Sequence, residues 1–524
     1  MKKKVQEQIF EIVKRNWPDV EIKFKDVEVS YPSDEQGEYS SNMVMKLAGR
    51  LKIKPAEIAE TIRIELFRSV LPLRGVEIVE PGFLNIKMGM AYLQRQVNDV
   101  IEAGSNYGNS NFGKNRKIQV EFVSANPTGP IHLGNGRGGP MGDTMVKVFD
   151  KAGFDAESEY YVNDFGNQVK ILGHSVLKDS EAEYKGDYID KLHEAIGKDG
   201  DDPFIVGRKA AIYITEKIIK QTMEKAGIDF DQYFSEKSLH DSGEVDEMLK
   251  YLKEEKFTYE DDDALWFRSK DFGDDKDRVV KKSTGEMTYF GTDIAYHKNK
   301  LDRGYEKIIN IWGADHHGDV SRVMGAVDAL GHKGKLQIIL SQFVRVIKDG
   351  KEYKMSKRKG TYVSLDDLLE EAGKDAVRFF FLMHSPDTHM DFDLNLAKEK
   401  SDKNPVFYVQ YAHARICSIL SKTDMVTDDA NMGLLEHPKE LALIRRLSRL
   451  PELVEDVARS YEVHRFPYYA MALADSFHSF YHECKVLDEK NEDMTKARLR
   501  LVQGTKIVLA ETMRLMGVDA PEKM

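Results

Sequence analysis

Apolar positions change their period several times along the 524 residues, and each change marks a new element. Val5, Ile9, Phe10 and Val13 recur at helical spacing, and Val20, Ile22 and Phe24 then alternate as a strand. Pro55 suits the first turn of a helix carrying Ile58, Ile62 and Leu66, after which Val76-Glu77-Ile78 and Leu84 to Met88 alternate again. These elements predict a small α/β domain over residues 1–105, followed by the Gly/Asn-rich run from Gly104 to Gly113. Ile118 to Val123 reads as a strand, and Met141, Met145, Val148 and Phe149 as a helix that stops before Gly153. Ile308 to Trp312 and Gln337 to Leu340 are short apolar runs that fit buried strands, so residues 115–400 read as a parallel-sheet α/β domain. An acidic, mixed stretch at about 175–277 is too long for a loop and reads as an insertion. Val344 to Tyr353 predicts a hairpin turning at Lys348-Asp349-Gly350. Over 404–524 the period is helical almost throughout: Tyr408, Tyr411, Ala412 and Arg415; Leu441, Ile444, Leu447 and Leu450; Phe477, Phe480, Tyr481 and Cys484.

Composition narrows the picture. A chain of this length can bury a substantial core in several domains. No apolar run reaches the ~18 residues of a membrane span, and Met1-Lys2-Lys3-Lys4-Val5 leads into a charged amphipathic helix rather than a signal-peptide core. The cytoplasm is the expected compartment. Cys417 and Cys484 are the only cysteines, which argues against a disulfide framework or a cysteine-based zinc site. A net charge of −11 lowers the expectation of an RNA partner without deciding it, because whole-chain charge says little about a local patch.

The candidate chemistry lies in two segments. Ala125-Asn126-Pro127-Thr128-Gly129-Pro130-Ile131-His132-Leu133-Gly134-Asn135 sits between a strand and a helix, where free N–H groups and the helix dipole favour an anion. Lys354-Met355-Ser356-Lys357 sets two ammonium groups on a Lys/Gly-rich loop. Singly, a histidine beside glycine is usually only a turn, and a lysine run a solvated loop. Together, in this order, they predict a nucleotidyl-transfer site.

With those segments in view, the chain resembles the bacterial-type arginyl-tRNA synthetase family of class I aminoacyl-tRNA synthetases. The resemblance covers nearly the whole length. It runs through Val120 to Pro127, Tyr161-Val162-Asn163-Asp164, Gly166-Asn167-Gln168, Thr288-Tyr289 with Thr292-Asp293, Trp312 to Gly318, the Lys354 loop, Asp391 to Leu394 and Val409 to Arg415. It implies a Rossmann-like catalytic domain with an insertion, an N-terminal α/β domain contacting the tRNA elbow, and a C-terminal all-α bundle reading the anticodon. It also implies ATP-dependent attachment of L-arginine to tRNA(Arg) through an arginyl-adenylate, by a monomer, with Mg²⁺ held mainly through ATP and no dedicated protein metal site.

The resemblance places Tyr289 and Asp293 against the guanidinium, Glu121, Ser124 and Asn126 at the α-amino and carboxylate groups, and His316 along the same pocket. Physical chemistry supports that substrate: a planar, permanently charged fork asks for carboxylates and fixed acceptors. Tyr289 and Asp293, four residues apart, can share a helix face. His132, Gly134 and Asn135 would hold ATP phosphates, and Gly313 and Asp315 would approach the ribose. Met355 and Ser356 would close on ATP, while Lys354 and Lys357 stabilise charge as the arginine carboxylate attacks the α-phosphorus.

Two positions depart from the family pattern. Asn135 replaces a usual second histidine and can donate a hydrogen bond but carry no proton charge. Pro140 replaces a small helix former, so it either bends a helix already begun or starts one. Tyr408 and Tyr411 resemble tRNA-contacting tyrosines, whose faces suit an unstacked anticodon base; helical tyrosines are more often core. A synthetase for cysteine would ask for a zinc site, and one for glutamate for a cationic pocket. A silent RNA-binding relative could dispense with His132 and Lys357, yet both are present.

Overall fold

The structure is a computed structural model and describes residues 1–32, 36–197, 202–353 and 363–524. At the N-terminus, the helix Lys2–Asn16 buries Val5, Ile9, Ile12 and Val13. Beside it lies an antiparallel sheet of β1 (Tyr39–Ser41), β2 (Leu73–Val79) and β3 (Phe83–Met88), in the order β1-β3-β2. Pro55 opens the helix Pro55–Phe67, where its missing N–H costs nothing. The strand expected at Val20 to Phe24 does not form. Phe24–Asp26 is instead a 3₁₀ turn, whose Asp26 carboxylate accepts from the Lys23 N–H at 2.8 Å. Three alternating apolar residues suit a loop that drops single side chains inward as well as they suit a strand. Ile22 is buried and Phe24 meets Phe10 edge-on.

The central domain begins with β4 (Lys117–Glu121), β5 (Asp155–Val162) and β6 (Gln232–Ser235). An appended antiparallel sheet follows, made of β7 (Thr258–Asp261), β8 (Ala264–Phe267) and β9 (Arg278–Lys281). β10 (Lys307–Gly313) and β11 (Leu336–Ser341) complete a five-stranded parallel sheet of order β11-β10-β4-β5-β6. The strand order reverses between β4 and β10, and in such sheets the crevice beyond the carboxyl ends at that point takes the ligand. β6 lies inside the stretch expected as an insertion, so that stretch is not wholly outside the sheet. Its four residues, Gln-Tyr-Phe-Ser, are too few to show a period.

After β4 the chain forms a single turn, Leu133–Gly136, and then the helix Gly138–Lys151. Pro140 falls in the first turn of the second piece, where its N–H would have no intrahelical partner. Gly142 lets this helix press onto Phe122, because any Cβ there would overlap the ring. The hairpin of β12 (Val344–Lys348) and β13 (Lys351–Glu352) turns at Asp349 and Gly350, both with positive φ, 52° and 73°. β12 also pairs in parallel with β14 (Met390–Asp393).

The C-terminal part is a bundle of Pro405–Leu420, Pro438–Leu447, Leu450–Ser460, Arg465–Glu483 and Glu492–Met516, with Leu450 opening its own helix. The helix Met90–Ala103 packs on it. Two buried charge contacts tie the bundle to the helix Gly138–Lys151, one directly and one through Arg378 of the helix Lys374–Leu382. Lys151 Nζ lies 2.6 Å from Glu511 Oε1, and Arg378 contacts Asp143 while its Nε donates to the Met516 carbonyl at 2.7 Å. Among the described residues no helix is long and apolar enough to cross a membrane.

Candidate active site

β4 delivers Glu121 to the switch point, and the backbone then turns sharply: Val123 and Ser124 both take positive φ, 67° and 37°. A β-branched residue rarely adopts that conformation, so the segment must be held from outside. Ser124 Oγ accepts from the Tyr161 N–H at 3.1 Å, and the Tyr160 hydroxyl donates to the Ala125 carbonyl at 2.7 Å. Further on, His132 caps Leu133–Gly136 with its Nδ1 accepting from the Gly134 N–H at 3.1 Å. One N–H expected to face an anion is therefore already engaged. Desolvation at the rim lowers the His132 pKa and Asp315 opposes the fall; in the neutral ring the proton lies on Nε2.

Across the switch point β10 ends at Gly313 and runs into the 3₁₀ turn Ala314–Asp319. A Cβ at Gly313 would overlap the Asp315 carboxylate, so a larger residue there would turn that side chain away from the strand end. His316 Nδ1 lies 3.1 Å from Asp319 Oδ2, and Asp319 in turn contacts Arg322. The third wall is the helix Tyr289–Asp302, capped by Thr288 Oγ1 accepting from the Gly291 N–H at 3.1 Å.

These walls enclose a cavity of about 380 Å³ whose lining includes Glu121, Ser124, Asn126, His132, Asn135, Asp293, Gly313, Asp315 and His316. The residues singled out from the sequence are thus brought together, with exceptions. Gly134 lies beneath the His132 ring outside the lining, and Tyr289 stands 53% exposed at the helix start, one turn from Asp293. Lys354, Met355, Ser356 and Lys357 lie outside the described residues. Tyr161, Asn163, His297, Asn310 and Trp312 also line the cavity, although no role was assigned to them from sequence.

Glu236 was missed altogether. It is buried at the start of the helix Glu236–Asp241, just after β6, and no motif surrounds it. Burial pushes its carboxyl up to about 8; Asp293 and Asp164 add to the rise against a hydrogen bond from Tyr161. Burial, then the charge of Glu121, pushes Asp293 up to about 7, against Arg322, His316 and Lys300. Behind them Glu121 is paired with Lys300, Nζ to Oε2 at 2.5 Å. The cavity thus carries one carboxyl, Asp293, that burial keeps protonated near neutrality, with Glu236 bonded to the lining residue Tyr161, and it opens toward a neutral His/Asn turn.

On the bundle, Tyr411 and Tyr408 differ. Tyr411 is exposed, stacks on Phe407 at 6.3 Å and on His478 at 6.2 Å, and its hydroxyl accepts from Arg415 at 2.8 Å. Tyr408 packs against the core and His478.

A parallel sheet with its cavity at this switch point, bounded by a His-bearing turn after one strand and a Gly-Ala-Asp turn after its neighbour, defines the catalytic fold of a class I aminoacyl-tRNA synthetase. Three family models match in order: an arginyl tRNA synthetase N-terminal domain over residues 1–88, a tRNA synthetases class I (R) catalytic domain over 96–389, and a DALR anticodon binding domain over 409–524. The chain belongs to the arginyl-tRNA synthetase family.

Similar proteins include the arginine-tRNA ligases of Heliobacterium modesticaldum, 43% identical and covering 94% of this chain and 93% of that one, and of Bacillus subtilis, 43% identical over 96% and 95%. The arginyl-tRNA synthetase of Thermus thermophilus, 21% identical, shares the fold over the full length of both chains with a TM-score of 0.79.

Proposed function

We propose that the chain joins L-arginine to tRNA(Arg) at the expense of ATP, releasing AMP and pyrophosphate. The observation that carries this reading is Asp293, a buried carboxyl raised to about 7 in the cavity wall, with Glu236, raised to about 8, hydrogen-bonded to the lining residue Tyr161. A guanidinium there replaces the Asp293 proton and gives that carboxylate the opposite charge that burial demands. A glutamate side chain would meet repulsion in the same place, and a cysteine would leave the acids unpaired.

In the first step an arginine carboxylate oxygen attacks the α-phosphorus, the new O–P bond forms, and the bond to pyrophosphate breaks with its electron pair leaving on pyrophosphate. In the second, a terminal ribose hydroxyl of the tRNA attacks the activated carbonyl, loses its proton and expels AMP. Glu121, Ser124 and Asn126 would orient the α-amino and carboxylate ends, with Tyr289 closing over the guanidinium. His132 and Asn135 would donate to phosphate, and Gly313 and Asp315 would receive the ribose. Lys354 and Lys357, flanking Met355 and Ser356, would stabilise the charge that grows on the phosphates. No protein group becomes covalently bonded, so catalysis is positioning and electrostatics, in which one well-placed donor is worth about 3–4 kcal/mol.

Mg²⁺ is expected with ATP. The phosphate end presents His132 and Asn135, which do not form an oxygen cage, and among the described residues no group of three or more His, Cys, Asp or Glu converges. The ion would be held by phosphate and water. Exposed Tyr411 beside Arg415 would stack an anticodon base, with Tyr408 beneath as support. The enzyme would act in the cytoplasm as a monomer.

ATP-pyrophosphate exchange with each amino acid, with and without total tRNA, tests the reading. Exchange confined to arginine and dependent on tRNA is expected. Exchange driven equally by lysine, or absent with arginine plus tRNA, would overturn it.

A further inference from the structure

A cavity that takes a cation has a fully buried cation in its wall. Lys300 lies on the helix that carries Asp293, two turns further on, and is 0% exposed. Its ammonium touches Glu121 Oε2 at 2.5 Å and Asn310 Oδ1 at 3.0 Å, and sits 4.4 Å from the centre of the Tyr296 ring. A buried ammonium opposes a guanidinium nearby, so its presence asks for a reason.

The contacts supply one. An ammonium only donates, so Asn310 must turn its oxygen to Lys300 and its NH₂ away. That NH₂ donates to His297 Nε2 at 2.9 Å, which leaves the His297 proton on Nδ1, donating to the Asp293 carbonyl at 2.8 Å. Burial pushes His297 down to about 3, which keeps the ring neutral as this chain requires. One charge therefore sets the direction of each hydrogen bond from β10 to the turn bearing Asp293.

We propose that Lys300 is a positioning residue for arginine selection: by holding Glu121 and orienting Asn310 and His297, it leaves Asp293 as the buried cavity carboxylate without an ion pair. The inference rests on arginine being the substrate. The groups that face Asp293 are Glu121 from β4, Tyr161 from β5, Glu236 after β6, His316 after β10, Arg322 from the next helix and Lys300 from its own. Of these, Glu121 favours the protonated carboxyl, and Arg322, His316 and Lys300 oppose it. Without Lys300, Glu121 loses its buried partner and one of the three cations opposing it is gone, so Asp293 keeps its proton to higher pH and arginine must displace it.

Equilibrium dialysis of radiolabelled arginine against the full chain with total tRNA, from about pH 6 to about pH 9, reads this directly. Wild-type binding is expected to weaken as pH falls through about 7. Lys300→Met should move that midpoint up, Glu121→Gln should move it down, and the double variant should return it near the wild-type value. Opposite displacements of this kind do not follow from loosened packing. An unmoved midpoint in folded Lys300→Met, or an equal loss at every pH, would overturn the proposal. Should Lys300→Met not fold, Glu121→Gln and the double variant, which buries no lone charge at this pair, decide it: a midpoint that stays put in Glu121→Gln overturns it. Wild-type protein that binds no arginine at any pH would instead remove the substrate reading on which the proposal stands.

Discussion

At the scale of single residues, Asp293 is the sharpest test. Asp293→Asn keeps the side chain's size but removes a charge opposing a buried guanidinium, and breaking such a pair costs about 3–5 kcal/mol. Arginine activation is expected to fall at least about a hundredfold, while thermal unfolding of the ligand-free protein shows no loss of stability. The sign follows from linkage: a carboxyl raised to about 7 makes the folded protein lose stability as pH rises from its unfolded value of 3.8 through 7, and asparagine abolishes that loss. The same groups make arginine binding release protons near neutrality, which calorimetry in buffers of different ionisation heat measures. Near-normal kcat/KM in Asp293→Asn would assign recognition elsewhere. Lys357→Ala should lower the adenylation rate by roughly 10²–10³ with little change in arginine KM; a loss confined to KM contradicts its assigned part. Asp293 was legible because motif residues surround it. Glu236 and Lys300 were not: Glu236 follows a four-residue strand 57 positions upstream, and Lys300, between Lys298 and Asp302, reads as a solvated helix end until the face shared with Tyr296 and His297 is seen to meet β4.

Elements show the same division between local and distant causes. The hairpin at Asp349-Gly350 was readable because turn chemistry is local, whereas the false strand at Val20 to Phe24 had the right alternation and no neighbour to pair with. β6 escaped notice because an edge strand can be too short to carry a period. The backbone reversal at Val123 and Ser124 is invisible in sequence, since neither residue favours positive φ; it is imposed by β5 through Tyr160 and Tyr161. Gly142 gives this level its test. Gly142→Ala would drive a methyl group into Phe122 and push the helix behind His132 off β4, at a cost of about 1–3 kcal/mol. A lowered midpoint of thermal unfolding together with slower adenylation is expected; unchanged values for both would show that the helix has room to spare.

For the whole molecule, the order of an α/β part, a parallel-sheet part and a helical part was plain from changing periods, but the way the parts grip one another was not. Lys151 and Glu511 lie 360 positions apart and each looks like an ordinary helix-surface charge. In the structure they are only 2% and 3% exposed. Glu511→Leu should therefore destabilise the protein by about 3 kcal/mol, because it strands the Lys151 charge. Lys151→Met should cost less, since Arg514 still holds Glu511 at 2.7 Å, and the double variant should recover most of the loss. Differential scanning calorimetry of the three proteins checks the ranking; additive losses would mean that the pair is not coupled. The contact also limits how freely the C-terminal bundle can be exchanged. A bundle transplanted from a relative carries its own residue to the place of Glu511 and its own helix end to the carbonyl that Arg378 needs. Portability between relatives is then decided at two buried positions outside the cavity, and a graft that ignores them should fail in expression before any question of RNA recognition arises.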